Sequence, residues 1–498
     1  MNVNPITRLD YPDLDVIRVE DTYYMVSTTM HFMPGCEILQ SFDLVNWEHV
    51  TYVYETLDHT DAQQLKSGQN IYGQGMWAAS LRYHEGRFYI CFVANDTRKT
   101  YLYTSEKIDG PWKKQLIEGF YHDGSLLFDE DGRNYIVYGN DEIWITELNE
   151  DLTAPKKDGL HRLLVSDHKN PELGYEGSHI QKINGYYYIF LVHSLRDRWM
   201  RTEACFYSDS LEGEFTGGDV LCDDRGYCGQ GVAQGGIVDT PDGKWYAMLF
   251  QDSGAVGRIP ILLPVTWKDH FPFFGQNGHV PEEIEVHSTR PGYIYQPLVG
   301  SDDFCNGLLP RWQFNHDPDP RYYHLDALQG TYTITTREVC TELTQAVNTL
   351  TQRMSYPSCA AEVTVDASAL KEGDVAGLCA LQSCYAAVGI TKHHGKYEVL
   401  MLDKKEDGIL DMTEGTVVES HQMDFRLEAD FCNMKDEARC YYRVNKGDWL
   451  PIGTVHKLYF KLDHFTGCRF GLFCYAAEET GGSACFRDFK YYDVDEIS

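Results

Sequence analysis

Three acids hold the same place relative to a phrase that recurs along the chain. Asp13 lies in DYPDLDVIRV (10–19), Asp123 in YHDGSLLFDEDG (121–132) and Glu176 in GYEGSHIQKING (174–185). Each stands at the mouth of a short apolar strand that leads into a turn and then an aromatic-rich strand. Any single one of the 75 Asp and Glu residues is more often a turn carboxylate that bonds a backbone N–H or faces water. A common position relative to a repeat is what lifts these three above that background. Carboxyl groups converging on one space can divide proton work: one gives a proton to a leaving oxygen, and a second acts as base or nucleophile on the other side. That is the requirement for breaking a glycosidic bond.

The elements that must position them follow from the repeat. The phrase reads EDTYYMVST (20–28), EGRFYICFV (85–93), DGRNYIVYG (131–139), NGYYYIFLV (184–192) and DGKWYAMLF (242–250). Successive copies lie roughly 45 to 65 residues apart, close to one four-stranded propeller blade. A second phrase follows several copies: SFDLVNWEHV (41–50), TSEKIDGPWKK (104–114) and YSDSLEGEFTG (207–217), each a strand end plus a tight turn, as in the outer hairpin of a blade. Five copies predict five blades, with the strand before each aromatic phrase innermost. Three blades then aim Asp13, Asp123 and Glu176 at one channel. After about residue 296 the phrases stop, and alternating strands such as AAEVTVDAS, KYEVLMLD and FRDFKYYDV predict a β-sandwich. The chain is thus expected to be all-β, a five-bladed β-propeller (1–296) followed by a β-sandwich accessory domain (297–498), with no Ser/Pro-rich linker between them.

Composition narrows the partners. A formal charge of -32 repels phosphate backbones and anionic lipid, so nucleic acid and membrane surfaces are not expected, whereas a neutral sugar feels little of this field. The fifteen cysteines form no C-x-x-C pair and read as reduced core residues. With no basic segment followed by an apolar run at the N-terminus, the expected location is cytoplasmic. Homo-oligomerisation is left open.

The motifs resemble glycoside hydrolase family 43, the β-xylosidases and α-L-arabinofuranosidases built on a five-bladed propeller, the larger of which also carry a C-terminal β-sandwich. NPITRLDYPDLDVIRVEDTYYM, DGSLLFDEDG and YEGSH match the three acid motifs of that family, and the resemblance spans the whole chain. It implies Asp13 as general base, Glu176 as general acid, and Asp123 as the acid that orients Glu176 and, as a nearby like charge, keeps it protonated. Inversion, the family's outcome, implies base and acid carboxyls roughly 6.5–9.5 Å apart.

The resemblance also suggests substrate contacts: Trp77 as a stacking platform, Arg258 as a donor to sugar hydroxyls, Met30 and His31 where relatives place an aromatic wall, and His179 facing the pocket. Segment 478–486 (EETGGSACF) is the expected sandwich loop closing one side. No cofactor is required. Relatives place a histidine near the propeller axis, some with calcium, but Ala233 and Gln234 stand there in this chain, so a bound calcium is in doubt and no metal ligand is assigned. The leading expectation is an exo-acting, inverting enzyme that takes a small oligosaccharide and releases xylose. An α-L-arabinofuranosidase is the alternative, and a non-catalytic carbohydrate-binding protein the alternative class.

Overall fold

The computed structural model describes residues 2–461 and 464–493; residue 1 and residues 494–498, the outer ends of the two expected domains, lie outside them. Five four-stranded antiparallel sheets form five propeller blades, four of them made of consecutive strands and the first interrupted by Phe32–Met33 between its second and third strands. No α-helix is present among the described residues. Each aromatic phrase is the second strand of its blade: Thr22–Val26, Arg87–Ala94, Asn134–Asn140, Tyr186–Ser194 and Trp245–Asp252. The strands before them, Asp15–Val19, Met76–His84, Ser125–Phe128, Glu176–Ile183 and Val232–Asp239, contact one another in cyclic order around the axis.

Alternation explains why the second strands are apolar on both faces. Side chains of a strand point to opposite sides in turn, and each blade is sandwiched between two others. In blade 1, Tyr23 and Met25 join Tyr246, Met248 and Leu262 of blade 5. Their neighbours Tyr24 and Val26 pack with Leu81, Phe88 and Ile90 of blade 2. Closure between blades 5 and 1 is reinforced by Asn4, whose amide donates to Leu262 and Pro281 carbonyls at 2.7 and 3.0 Å, and by an Arg18–Asp239 ion pair at 2.5 Å.

The C-terminal part is a sandwich of two antiparallel sheets, one of seven strands and one of nine. The nine-stranded sheet does not stop at the domain: its edge strand is Phe32–Met33 of blade 1, paired with Gln313–Asn315. Ala255, Val256 and Ile259 of blade 5 are buried in the main sandwich core. A buried ion pair between Arg353 and Glu37 at 2.8 Å crosses the same junction, and Arg353 Nε also donates to the Asp10 carbonyl. Sheet, core and charge together fix the two parts as one body. All fifteen cysteines are free, and among the described residues no helix is long and apolar enough to cross a membrane.

Candidate active site

At the mouth of the propeller every inner strand begins with the same backbone irregularity. Asp13 (φ 51°), Ala78 (φ 39°), Asp123 (φ 48°), Gly177 (φ 65°) and Gln234 (φ 68°), one from each blade, all adopt the left-handed conformation. Three of these places are register shifts in the sheet, between Trp77 and Ser80, Glu176 and His179, and Ala233 and Gly236. Non-glycine residues pay for that conformation, and such strain gathers where a side chain has to be re-aimed. All five residues line one axial cavity of about 10 Å³, room for about one water. The repeat therefore delivers five equivalent positions, and the sequence places acids at or beside three of them.

Asp13 is 5% exposed and doubly held: Arg258 Nη1 donates to Oδ1 at 2.5 Å and Thr28 Oγ1 to Oδ2 at 2.6 Å. Arg258 in turn is oriented by Asp252, whose Oδ1 accepts from Nε at 3.2 Å. Across the axis, Asp123 Oδ2 accepts the Gly177 N–H at 2.9 Å, so one acid positions the backbone that carries the other. Glu176 Oε2 accepts from Asn140 Nδ2 at 2.8 Å. Between the two acids stands His122, whose Nε2 is 3.5 Å from both Asp123 Oδ2 and Glu176 Oε2.

His122 changes the proton balance expected from the sequence. Its imidazole is pushed up to about 9, first by the Asp123 charge, against the cost of burial. Burial raises Asp123 to about 6, with His122 pulling the other way and Glu176 and Asp13 adding to the rise. For Glu176, burial also pushes upward, but the hydrogen bond and charge of His122 outweigh it and hold the carboxyl below its ordinary range. The sequence led us to expect the like charge of Asp123 to raise Glu176; beside His122, burial raises Asp123 while Glu176 is held down. The physical reason is a cation between the two acids. Polar atoms of His122, Asp123 and Glu176 lie within 4.8 Å of one another, a spacing that metal ligands also share.

The other sequence-predicted residues divide into two groups. Trp77 faces the site, its ring 6.4 Å from His122 and 5.3 Å from Phe465. Arg258 lies against Phe465 as well, 4.3 Å from the ring centroid. His179 lines the axial cavity but is turned inward, with Nδ1 3.1 Å from Asp15 Oδ1. Burial raises the Asp15 carboxyl, but Arg82 and His179 bring it down to about 2. Met30 and His31, by contrast, have no exposed surface. Met30 bridges to Met76, and His31 packs on Phe32, Tyr72 and His316, because the next two residues join the sandwich sheet and bury the loop. They stand behind the Trp77 strand and form no open wall.

The sandwich does reach the site, through a different turn from the expected one. Segment 478–486 is tied into its own domain: Gly481 N–H bonds the Thr336 carbonyl, and Ser483 begins a strand of the seven-stranded sheet. Phe465 makes the contact instead. Its turn is anchored where Cys468 N–H bonds the Ala255 carbonyl at 2.7 Å, and where Gly257 and Gly467 meet backbone to backbone. His122 directly precedes Asp123 within its motif and Asn140 directly follows the third aromatic phrase, yet neither was singled out from the sequence; Phe465 carried no local signal.

Comparison with known proteins agrees with this architecture. Residues 3–272 match the model of Glycosyl hydrolases family 43, and residues 301–492 that of the Beta xylosidase C-terminal Concanavalin A-like domain. A beta-xylosidase of Formosa agariphila is 27% identical over 99% of this chain and 89% of its own length. A xylosidase/arabinosidase of Butyrivibrio fibrisolvens is 23% identical, with 99% of each chain covered. The solved structure of a bifunctional GH43-CE protein of Bacteroides eggerthii is 42% identical with a TM-score of 0.91; the match covers 99% of this chain and 63% of that one. With five blades, three mouth acids and a fused sandwich, matched along nearly their whole length, the chain belongs to Glycosyl hydrolases family 43.

Proposed function

We propose that this glycoside hydrolase is an exo-acting, inverting enzyme that releases xylose from β-xylosides and xylo-oligosaccharides, with α-L-arabinofuranosidase activity as its second capacity. The observation that carries the reading is the division of the mouth into two chemical halves. On one side Asp13 is gripped by Arg258 and Thr28, which favours a fixed carboxylate able to take a proton from water. On the other, Glu176, Asp123 and His122 form a cluster that stores protons and can deliver one to the leaving oxygen. Substrate entry expels water and strengthens the burial that favours the neutral acid. In this assignment Asp13 is the base, Glu176 the acid and Asp123 the residue that positions it; no step uses a cofactor or metal.

Phe465 and Trp77 narrow the mouth from opposite domains, which favours attack at a chain end over attack within a chain. The arabinose activity is supported by the double name of the Butyrivibrio relative and by the similar hydroxyls that the two pentoses present to one small pocket. Release of xylose from xylobiose, set against release of arabinose from arabino-oligosaccharides, tests the substrate; failure on both removes it. Glu176→Gln is expected to lower turnover by roughly a thousandfold or more while leaving sugar binding intact. Unchanged turnover would refute the acid assignment.

A further inference from the structure

Blade 4 carries Glu176 on its inner strand, and the same blade raises a second feature at the mouth that the proposed reaction does not use. Inner strand Glu176–Ile183 pairs with Tyr186–Ser194, which pairs with Arg201–Ser208, in a register that aligns Glu176 with Val192 and Val192 with Glu203. Arg201 therefore stands two residues nearer the mouth than the row of the acid, two strands outward. The connecting loop, residues 195–200, is fixed at its base: Ser194 Oγ accepts the Met200 N–H at 2.8 Å, Leu195 N–H bonds the Met200 carbonyl, and Arg196 reaches Asp167 at 2.9 Å.

On this loop sits Trp199, at 42% exposure the one tryptophan of nine that is openly exposed among the described residues. Beneath it lies Arg201, 5% exposed, its guanidinium 5.2 Å from the Trp199 ring and 5.5 Å from Phe250. Of the five N–H donors of that guanidinium, Nε–H alone is used among the described residues, given to Asp252 Oδ2 at 3.0 Å. Nη1 is fully buried and has no acceptor among them. Asp252 also orients Arg258, so Arg201, Asp252, Arg258 and Asp13 form one continuous chain of buried charges that ends at the reacting centre. With one face of the Trp199 ring taken by this guanidinium, the indole is held in place and its other face is left to solvent. That exposed face is flat and apolar.

We propose that Trp199 and Arg201 form a sugar subsite on the leaving-group side, in which the exposed face of the indole stacks on the second pyranose or furanose ring of a neutral oligosaccharide and the guanidinium, against the opposite face, seats the indole. The side follows from the blade: the general acid must face the oxygen that departs, and both residues lie outward from Glu176 on that acid's own sheet. The inference rests on the proposed function for the direction of the substrate only.

Binding to Glu176→Gln protein tests it without turnover, by calorimetry with xylobiose and with arabinobiose, each compared with its monosaccharide. Trp199→Ala is expected to weaken the bound disaccharide roughly tenfold and leave the monosaccharide within about twofold. Trp199→Phe, which keeps a stacking face, restores most of the loss. Arg201→Lys keeps a charge for Asp252 but lacks the planar face that seats the indole, and weakens the disaccharide in the same selective way. Equal losses for disaccharide and monosaccharide, or none for either, overturn the subsite. So does a Glu176→Gln protein that binds neither disaccharide, a result that counts against the proposed function too. A disaccharide bound through Trp199 by a chain that hydrolyses no glycoside sinks the proposed function and leaves the subsite standing.

Discussion

His122 sets the charge on both acids at the proton-donating side, and its removal has a defined sign. A cation 3.5 Å from Asp123 and Glu176 stabilises their ionised forms. Without it both carboxyls titrate higher, and a protonated acid persists to more alkaline pH. His122→Asn is therefore expected to move the basic limb of the kcat/KM profile upward by about one pH unit on an aryl glycoside. An unmoved limb would mean that His122 does not govern the essential proton. The residue was within reach of the sequence, since it directly precedes Asp123. Its effect was not, because the second partner is 54 positions away and meets it only across two blades.

At the scale of elements, the working part is a bulge repeated at the mouth of each inner strand. The aromatic phrases disclosed the blades because a strand packed on both faces needs apolar side chains all along it. The bulges left no comparable mark: Asp, Ala, Asp, Gly and Gln occupy the five left-handed positions, and only glycine is a usual signal for that conformation. The Phe465 turn depends on a similar local demand. A Cβ on Gly257 (φ 102°) would lie 2.1 Å from Asp10 Oδ1 and 2.7 Å from the Gly467 nitrogen. Gly243 (φ 81°), in a hairpin turn, has open space around it. Gly257→Ala should cost roughly 3 kcal/mol or more and raise KM by displacing Phe465, whereas Gly243→Ala should cost about 1 kcal/mol with KM unchanged. Thermal melts and initial rates on the same preparations distinguish the two; equal melts would remove the clash as the cause.

For the molecule as a whole, the propeller is incomplete without the sandwich. Ala255, Val256 and Ile259 lose their cover if residues 297–498 are removed, and so does the edge strand Phe32–Met33. Burial raises the Glu37 carboxyl, but Arg353 and His49 hold it down to about 2. Removing Arg353 takes away the larger of those partners, a loss of about 3–5 kcal/mol for a buried pair. A fragment of residues 1–296 is accordingly expected to aggregate or to lack a cooperative melt, as read by size-exclusion chromatography and near-ultraviolet circular dichroism. A monodisperse, cooperatively melting fragment would contradict the view of one body.

The periodic part was legible along the chain: five aromatic strands, the hairpins that follow them, the alternating strands of the sandwich, and three acids in a shared place before the phrases. Each of these is local, written within a dozen residues by side-chain alternation and turn chemistry. Which side chains meet was set by folding. It put His122 between two acids from different blades, brought Phe465 from a sandwich turn onto Trp77 while segment 478–486 stayed in its own sheet, and buried Met30 and His31 in the domain junction. Those outcomes depend on distances between segments far apart in the chain, and no local pattern of residues encodes them.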